Sequence, residues 1–494
     1  MKIAIVAAEL APWAKAGGLA DVIAALPLAL KRAGADPVVI VPAYRGLAEA
    51  LGAHPVGTPH NGQMAAPITV AMGPGSEQFS LLEGRLPDDI PVYLIDHPGF
   101  FDRDGIYGDR NGDYPDNLRR FAFFGRAAAT LAADVIHPDV LHAHDWHAAM
   151  APIAARGDPE LAGRLRDVLT AFTIHNLAFQ GIFDSAEFPI LNLDPAYLSA
   201  DCLEFHGRIN LVKAAVVLAD GVSTVSPTYA REIMEGPEFG FGLEGVFRAR
   251  ADRFRGILNG ADYTTWSPAH DPFIAATYDA AEPEGKRRCR GALRAELDLT
   301  GSASTPVVAM ITRLTPQKGV DLMAEVFDDM MAAGIELVIL GNGEPTWEDF
   351  LRNESSRYSD RLRTRFGFDE ALAHRIQAGA DMFLMPSRFE PCGLTQMYAM
   401  HYGTAPIVRA TGGLRDTVTD FDPSAGIGTG FVFEDYRGGA LLEAVRRAVG
   451  EFHVNAPWRQ LMTNDFAADF SWDRAAREYL SWFAELRSPP AAPA

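Results

Sequence analysis

A chain of 494 residues is longer than one hydrophobic core ordinarily serves, so two or more domains are expected. Hydrophobic residues make up 48% and charged residues 22%, with 44 Lys plus Arg against 64 Asp plus Glu and a net charge of -20. That is the balance of a soluble globular protein, and it excludes nucleic acid and anionic membrane as partners unless base is concentrated locally.

Strand Lys2–Ala8 leads through a loop, Glu9 to Gly18, into a helix at Leu19–Ala33, and Pro37–Val41 is a second strand. This βαβ opening predicts an α/β fold with a parallel sheet. The N-terminal run is too short for a signal sequence, and no run approaches the ~18 apolar residues of a membrane span. Residues 61–98 read as a hairpin-rich insertion. Helices are expected at Asn117–Ile136, Trp146–Ala155 and Asn210–Ala219, with strands at Asp139–His142, Val168–Ile174 and Gly221–Val225. A helix starts at Pro227–Met234, and the Gly- and Phe-rich stretch 236–247 reads as a loop.

A second series begins at Pro306–Ile311, followed by helix Gly319–Ala333, strand Glu336–Leu340, helix Thr346–Asn353, and strands Met382–Met385 and Ala405–Val408. Two Rossmann-like domains are expected, 1–254 and 255–470, facing each other across a deep cleft that takes the ligand. A final helix over 471–487 is expected to pack back on the first domain, and the Pro/Ala-rich tail 488–494 reads as disordered.

The loop Pro386–Gln396 carries one acid, Glu390, between two prolines and ahead of Gly393, at a strand-to-helix transition. Glu390 is either a helix cap or a functional acid. In the first loop, Lys15-Ala-Gly-Gly-Leu19 joins a cation to two glycines before a helix, which suits an anion such as a diphosphate and serves equally as a simple turn. No third glycine completes a dinucleotide fingerprint. His142-Ala-His-Asp-Trp-His147 resembles a metal cluster, but Asp145 stands one position too early for the H-x-H-x-D-H pattern. Alternation along the strand puts His142 and His144 on one face, and the alternatives to a metal are a polar strand end lining the cleft, with Asp145 and one His contacting hydroxyls, or a purely structural role for the histidines. His175-Asn176 closes a strand and can hydrogen-bond sugar hydroxyls or sit satisfied in the core. Arg313 and Lys318 follow the first strand of the second half, where they suit a phosphate pair. Cys202, Cys289 and Cys392 are too far apart for a disulfide framework or a zinc spacing, which fits a cytoplasmic protein.

Lys15-Ala-Gly-Gly-Leu19, His142–His147, His175-Asn176, Arg313-Leu-Thr-Pro-Gln-Lys-Gly319, Pro386–Gln396 and Thr411-Gly-Gly-Leu414 occur in this order and at these separations. Together they resemble the family of bacterial glycogen synthases and plant starch synthases, from residue 1 to about residue 486. The resemblance implies a GT-B fold and a retaining hexosyltransferase that moves glucose from ADP-glucose to the 4-hydroxyl at the non-reducing end of an α-1,4-glucan such as glycogen. It implies Lys15, Arg313 and Lys318 at the diphosphate, with Gly18 bringing backbone close and Asp21 near the donor. His175 would bond the glucosyl unit, and Asp145 and Asn259 would line the cleft. Glu390 would contact the donor sugar, with Cys392, Gly393 and Leu394 supplying backbone and Thr395 at the helix start. Phe368 would stack on adenine where the family has Tyr, keeping the ring face without the hydroxyl, and Ala16 stands where Thr is frequent. Neither a metal nor another cofactor is expected, because the two cations can carry the leaving group's charge. A transferase using another nucleotide sugar, a dehydrogenase and a non-catalytic glucan binder are the competing readings. Oligomeric state is not legible.

Overall fold

The computed structural model describes residues 1–56 and 67–488, which form two compact units. Unit 1 holds Met1–Val225, Ala230–Gly260 and the chain from Trp472; unit 2 holds Ser226–Tyr229 and Ala261–Ser471. The main division falls later than the 254/255 boundary read from the sequence. The reason is strand Phe254–Gly256, which pairs in parallel with Gly221–Thr224 and completes the edge of the first sheet.

In unit 1 the parallel strands lie in the spatial order Phe254–Gly256, Gly221–Thr224, Leu169–Ile174, Val140–His144, Lys2–Val6, Asp36–Pro42 and Ile90–Asp96. Antiparallel Gly75–Leu86 extends the sheet, with Ile68–Met72 paired to it. The hairpin-rich reading of 61–98 holds in its described part, where Gly75–Leu86 pairs antiparallel with both Ile68–Met72 and Ile90–Asp96. The segment is not a separate insertion, however: Ile90–Asp96 is a full member of the main sheet, and residues 57–66 lie outside the described residues. Stretch 236–247 is likewise not a plain loop. It forms short helices at Pro237–Gly240 and Glu244–Ala249, the first with proline at its opening position, where no N–H is needed.

The sheet order reverses between Lys2–Val6 and Val140–His144. The loops leaving these two strands part to opposite sides, and such a point is where an open α/β sheet takes its ligand. The helix Gly18–Arg32 follows the first strand, and the final helix Trp472–Arg487 packs against it within unit 1. Tyr479 and Phe483 of that final helix lie on the His142 ring, with centroids 5.3 and 5.4 Å away. Gly221 has no side chain because Trp482 and Leu486 occupy the space: an added Cβ would lie 2.8 and 2.3 Å from them. The tail expected to be disordered, 488–494, lies beyond Ser488 outside the described residues.

Unit 2 has a six-stranded parallel sheet among its described residues. Its order is Leu362–Arg365, Glu336–Leu340, Val307–Ile311, Met382–Met385, Ala405–Arg409 and Phe431–Phe433. Side chains alternate between two cores: Met382 and Leu384 join one cluster, Phe383 and Met385 the other. Burial on both faces makes these strands uninterrupted apolar runs, the signal visible in the sequence. The reversal here lies between Val307–Ile311 and Met382–Met385, the two strands that lead into the Arg313–Lys318 and Glu390 loops. The expected helix Gly319–Ala333 is broken into Val320–Glu325 and Phe327–Ala332, and Gly319 itself is a left-handed link with φ 76°.

No described helix is long and apolar enough to cross a membrane.

Candidate active site

Unit 2 holds one group of candidate residues. Strand Val307–Ile311 ends at Thr312, and the backbone continues beside the next strand end. Thr312 N–H donates to Leu340 O at 3.0 Å and Leu314 N–H to Asn342 O at 2.8 Å. These bonds fix the Arg313 backbone while its side chain stays exposed, with Gln317 Oε1 3.4 Å away and no carboxylate within ion-pair distance among the described residues. Lys318 behaves differently. Its Nζ lies 2.6 Å from Glu390 Oε2, and the two side chains are only 18% and 7% exposed. Ser387 Oγ donates to the same oxygen at 3.0 Å.

The cap reading of Glu390 is thereby excluded. Its carboxylate serves a lysine and a serine, and helix Thr395–His401 begins without a side-chain cap. The backbone of Glu390 is held from the other side by the Thr411-Gly-Gly-Leu414 turn, whose Gly413 N–H donates to Glu390 O at 3.0 Å. Gly412 has φ 46°, and an added Cβ would sit 1.9 Å from Glu390 O, so both the conformation and the space demand glycine. Gly412→Ala is expected to cost about 1–3 kcal/mol of stability, read as a lowered thermal midpoint.

Cys392 is buried, and Gly393 turns the chain with φ 69° before Leu394. Gln396 Nε2 donates to Cys392 O and Gly393 O at 3.1 and 3.0 Å, locking that backbone. Thr395 stands first in the helix, its Oγ1 3.4 Å from Met385 Sδ. Phe368 follows strand Leu362–Arg365 and is 79% exposed, the most exposed of the large apolar side chains described.

Unit 1 holds a separate group. Asp145 follows strand Val140–His144 at the reversal of the sheet, in a left-handed conformation with φ 58° that Asp tolerates better than most residues. Its Oδ1 accepts the His175 N–H at 2.7 Å, which ties two neighbouring strand ends together. Burial pushes the Asp145 carboxyl up to about 7, against the pull of the His175 and Asn176 N–H donors, with the nearby Glu9 charge adding to the rise. His175 Nε2 lies 2.9 Å from His144 Nδ1. Burial lowers His175 to about 3, so its ring is neutral at ordinary pH and is available as a hydrogen-bonding group and not as a cation. Asn259 is buried beyond the edge strand Phe254–Gly256, and its Oδ1 has no partner among the described residues.

His142 and His144 do share a face, with centroids 4.1 Å apart. They divide the labour, however. His144 meets His175, whereas His142 bonds Thr173 Oγ1 at 2.6 Å beneath Tyr479 and Phe483 and belongs to the core.

In the first loop, Lys15 Nζ lies 2.6 Å from Asp21 Oδ1, with both side chains about one-third exposed at 35% and 32%. An added Cβ at Gly17 or Gly18 would meet nothing within 4 Å, so packing does not require glycine here, while close approach of a ligand would. Gly18→Ala should leave the thermal midpoint unchanged and weaken ADP binding several-fold, on the order of 1 kcal/mol, by titration calorimetry.

Glu9 escaped sequence reasoning. Glu9 is buried, and its Oε2 accepts the Ala16 and Gly17 N–H groups at 2.8 and 2.9 Å. Those donors, which the sequence offered to an anion, are thus committed; the free N–H groups start at Gly18, the first helical residue. Only an acid seven and eight residues ahead of a glycine loop signals this, and the signal is weak.

Residues 2–249 match the starch synthase catalytic domain family, and residues 300–451 match glycosyl transferases group 1. The chain is 44% identical to glycogen synthase of Anaeromyxobacter sp. (strain Fw109-5), covering 99% of this chain and 100% of that one. It is 42% identical to glycogen synthase of Koribacter versatilis (strain Ellin345), covering 99% and 98%. Among solved structures, the catalytic domain of starch synthase IV from Arabidopsis thaliana, bound to ADP and acarbose, superposes with TM-score 0.88 at 33% identity, covering 99% of each chain. Sucrose-phosphate synthase from Thermosynechococcus elongatus shares the fold, with TM-score 0.57 at 18% identity. Two Rossmann-like units, their motifs and these similarities agree: the chain belongs to the glycogen and starch synthase family of glycosyltransferases, with the GT-B type of fold.

Proposed function

We propose that this chain transfers glucose from ADP-glucose to the 4-hydroxyl at the non-reducing end of an α-1,4-glucan, with retention, and so elongates glycogen in the cytoplasm. The observation that carries the reading is the Lys318–Glu390 pair, held at 2.6 Å where the unit 2 sheet reverses. As the C1–O bond breaks, negative charge gathers on the departing diphosphate. Arg313 and Lys318 supply fixed positive charge for it, Arg313 through a planar fork and Lys318 as a point charge. Within unit 1, Lys15 and the helix start at Gly18 are likewise positive and suit a phosphate. Neutral His175 and Asn259, with its unpartnered oxygen, suit the hydroxyls of the glucosyl unit. Asp145 fixes the His175 backbone, and Asp21 holds Lys15 until phosphate takes its place.

Glu390 acts by orientation. Its Oε2 is engaged by Lys318 and Ser387, which disfavours that oxygen as a nucleophile, and this supports same-face attack assisted by the leaving phosphate over a covalent intermediate. Phe368 offers its exposed ring to adenine, and Cys392, Gly393, Leu394 and Thr395 present backbone and helix start beside the donor. Cys202, Cys289 and Cys392 are buried and form no disulfide among the described residues, which fits a reducing compartment.

The test is incubation with glycogen and labelled ADP-glucose or UDP-glucose without added metal. Label is expected in polymer, chiefly from ADP-glucose. No incorporation from either donor would sink the reading, and a preference for UDP-glucose would overturn the donor.

A further inference from the structure

We infer that Glu9 is a positioning residue that sets the shape of the Lys15–Gly18 loop and through it the affinity for a nucleoside diphosphate. The inference rests on the donor reading above. Glu9 is 4% exposed, yet no cation pairs with it within 4 Å among the described residues. Its carboxylate is spent on hydrogen bonds to neutral donors. Oε2 takes two consecutive backbone N–H groups, Ala16 at 2.8 Å and Gly17 at 2.9 Å, and Oε1 takes the Tyr107 hydroxyl at 2.6 Å.

The placement is costly in electrostatic terms. A negative charge stands inside the loop that must approach a polyanion, and it also faces the buried Asp145. A carboxylate in such a place is compensated by what it organises. Gly17 and Gly18 have no packing partners to fix them: an added Cβ at either would touch nothing within 4 Å. Two glycines in open space leave the loop entropically free. The two bonds to Glu9 restrain the two peptide units on either side of the Ala16 Cα. They aim Lys15 outward and start the helix at Gly18 with its first N–H groups unspent. Tyr107 sets the carboxylate in turn, its ring stacked on His147 at 4.3 Å, so the loop is referenced to the core of unit 1.

The experiment measures ADP binding by calorimetry, and KM and kcat for ADP-glucose, in wild type, Glu9→Asp, Glu9→Gln and Tyr107→Phe. Glu9→Asp keeps the charge but loses the reach to both N–H groups. It should raise the ADP dissociation constant and the KM about tenfold, the scale of one charge-assisted hydrogen bond, with a smaller change in kcat. Glu9→Gln loses the charge but keeps an oxygen that can accept from both N–H groups, and it should bind ADP as tightly as wild type or more so. Tyr107→Phe should move in the direction of Glu9→Asp by a smaller factor, and it serves as the test if Glu9→Asp does not fold. Wild-type-like binding in Glu9→Asp, or in Tyr107→Phe if that variant serves as the test, would overturn the inference, as would an equal loss in Glu9→Gln and Glu9→Asp. Failure of wild type itself to bind ADP would instead overturn the donor reading.

Discussion

Lys318→Ala is expected to lower kcat about a hundredfold or more while unit 2 remains folded. The ammonium is held 2.6 Å from Glu390 and is only 18% exposed, so its charge is poorly screened and already in place before the reaction. A preorganised group of this kind acts where charge develops, and losing one costs about 3 kcal/mol of barrier, or two decades in rate. Ground-state binding of ADP should fall less, because Arg313 and Lys15 remain. Stability should fall by about 1–3 kcal/mol, since Glu390 keeps Ser387 but loses its charged partner. Lys318→Arg should recover part of the rate, its fork being a poor substitute for a point charge in this space. Steady-state kinetics with a thermal melt decide the matter. Near-normal kcat in a folded Lys318→Ala would remove Lys318 from the leaving-group role.

The second large effect is expected at Glu390. Glu390→Gln keeps shape and a hydrogen-bond acceptor but leaves the Lys318 charge uncompensated. Turnover should fall by about two decades, as for a lost transition-state contact. ADP binding should be unchanged or tighter, because Lys318 then gives its whole charge to phosphate. That split between binding and rate separates an orienting carboxylate from one that merely props the loop, for which both would decline together. Residues 2.6 Å apart must couple, so the double variant Lys318→Ala/Glu390→Gln should lose less than the sum of the single losses. Strict additivity would mean that the pair does not act as a unit.

Much of this was legible without coordinates, for physical reasons that can be named. Met382–Met385 is buried on both faces and so reads as an unbroken apolar run, and the prolines and glycine that follow mark the turn that carries Glu390. The same holds for Val307–Ile311 ahead of Arg313. Alternation along Val140–His144 correctly placed His142 and His144 on one face. What alternation cannot say is what covers that face, and the cover for His142 comes from Tyr479 and Phe483 near the other end of the chain. Glu9 was missed because its partners are backbone N–H groups, which leave no mark on residue type. Ser387 was passed over as one more loop serine, although its hydroxyl meets Glu390. Stretch 236–247 was misread because glycine and phenylalanine lower helix propensity, whereas Pro237 in the opening position and packing of Phe247 in the core stabilise single turns. The hairpins of 61–98 were legible, but not that they extend the main sheet, because half-buried hairpin strands carry short apolar pieces in either case.

The return of helix Trp472–Arg487 to unit 1 has a bearing on how the protein is made. A ribosome delivers the chain from its first residue onward, and domains generally acquire structure in that order as they emerge. Unit 1 cannot follow the rule to completion. Its strands and most of its helices are synthesised first, but the rings that cover His142 and the side chains that fill the space over Gly221 arrive only after all of unit 2 has been translated. During that interval the nascent first unit shows apolar surface around the very strands that bear His144, Asp145 and His175. The last helix therefore acts as a closing step in biogenesis, and the framework of unit 1 is finished only after unit 2 has been made.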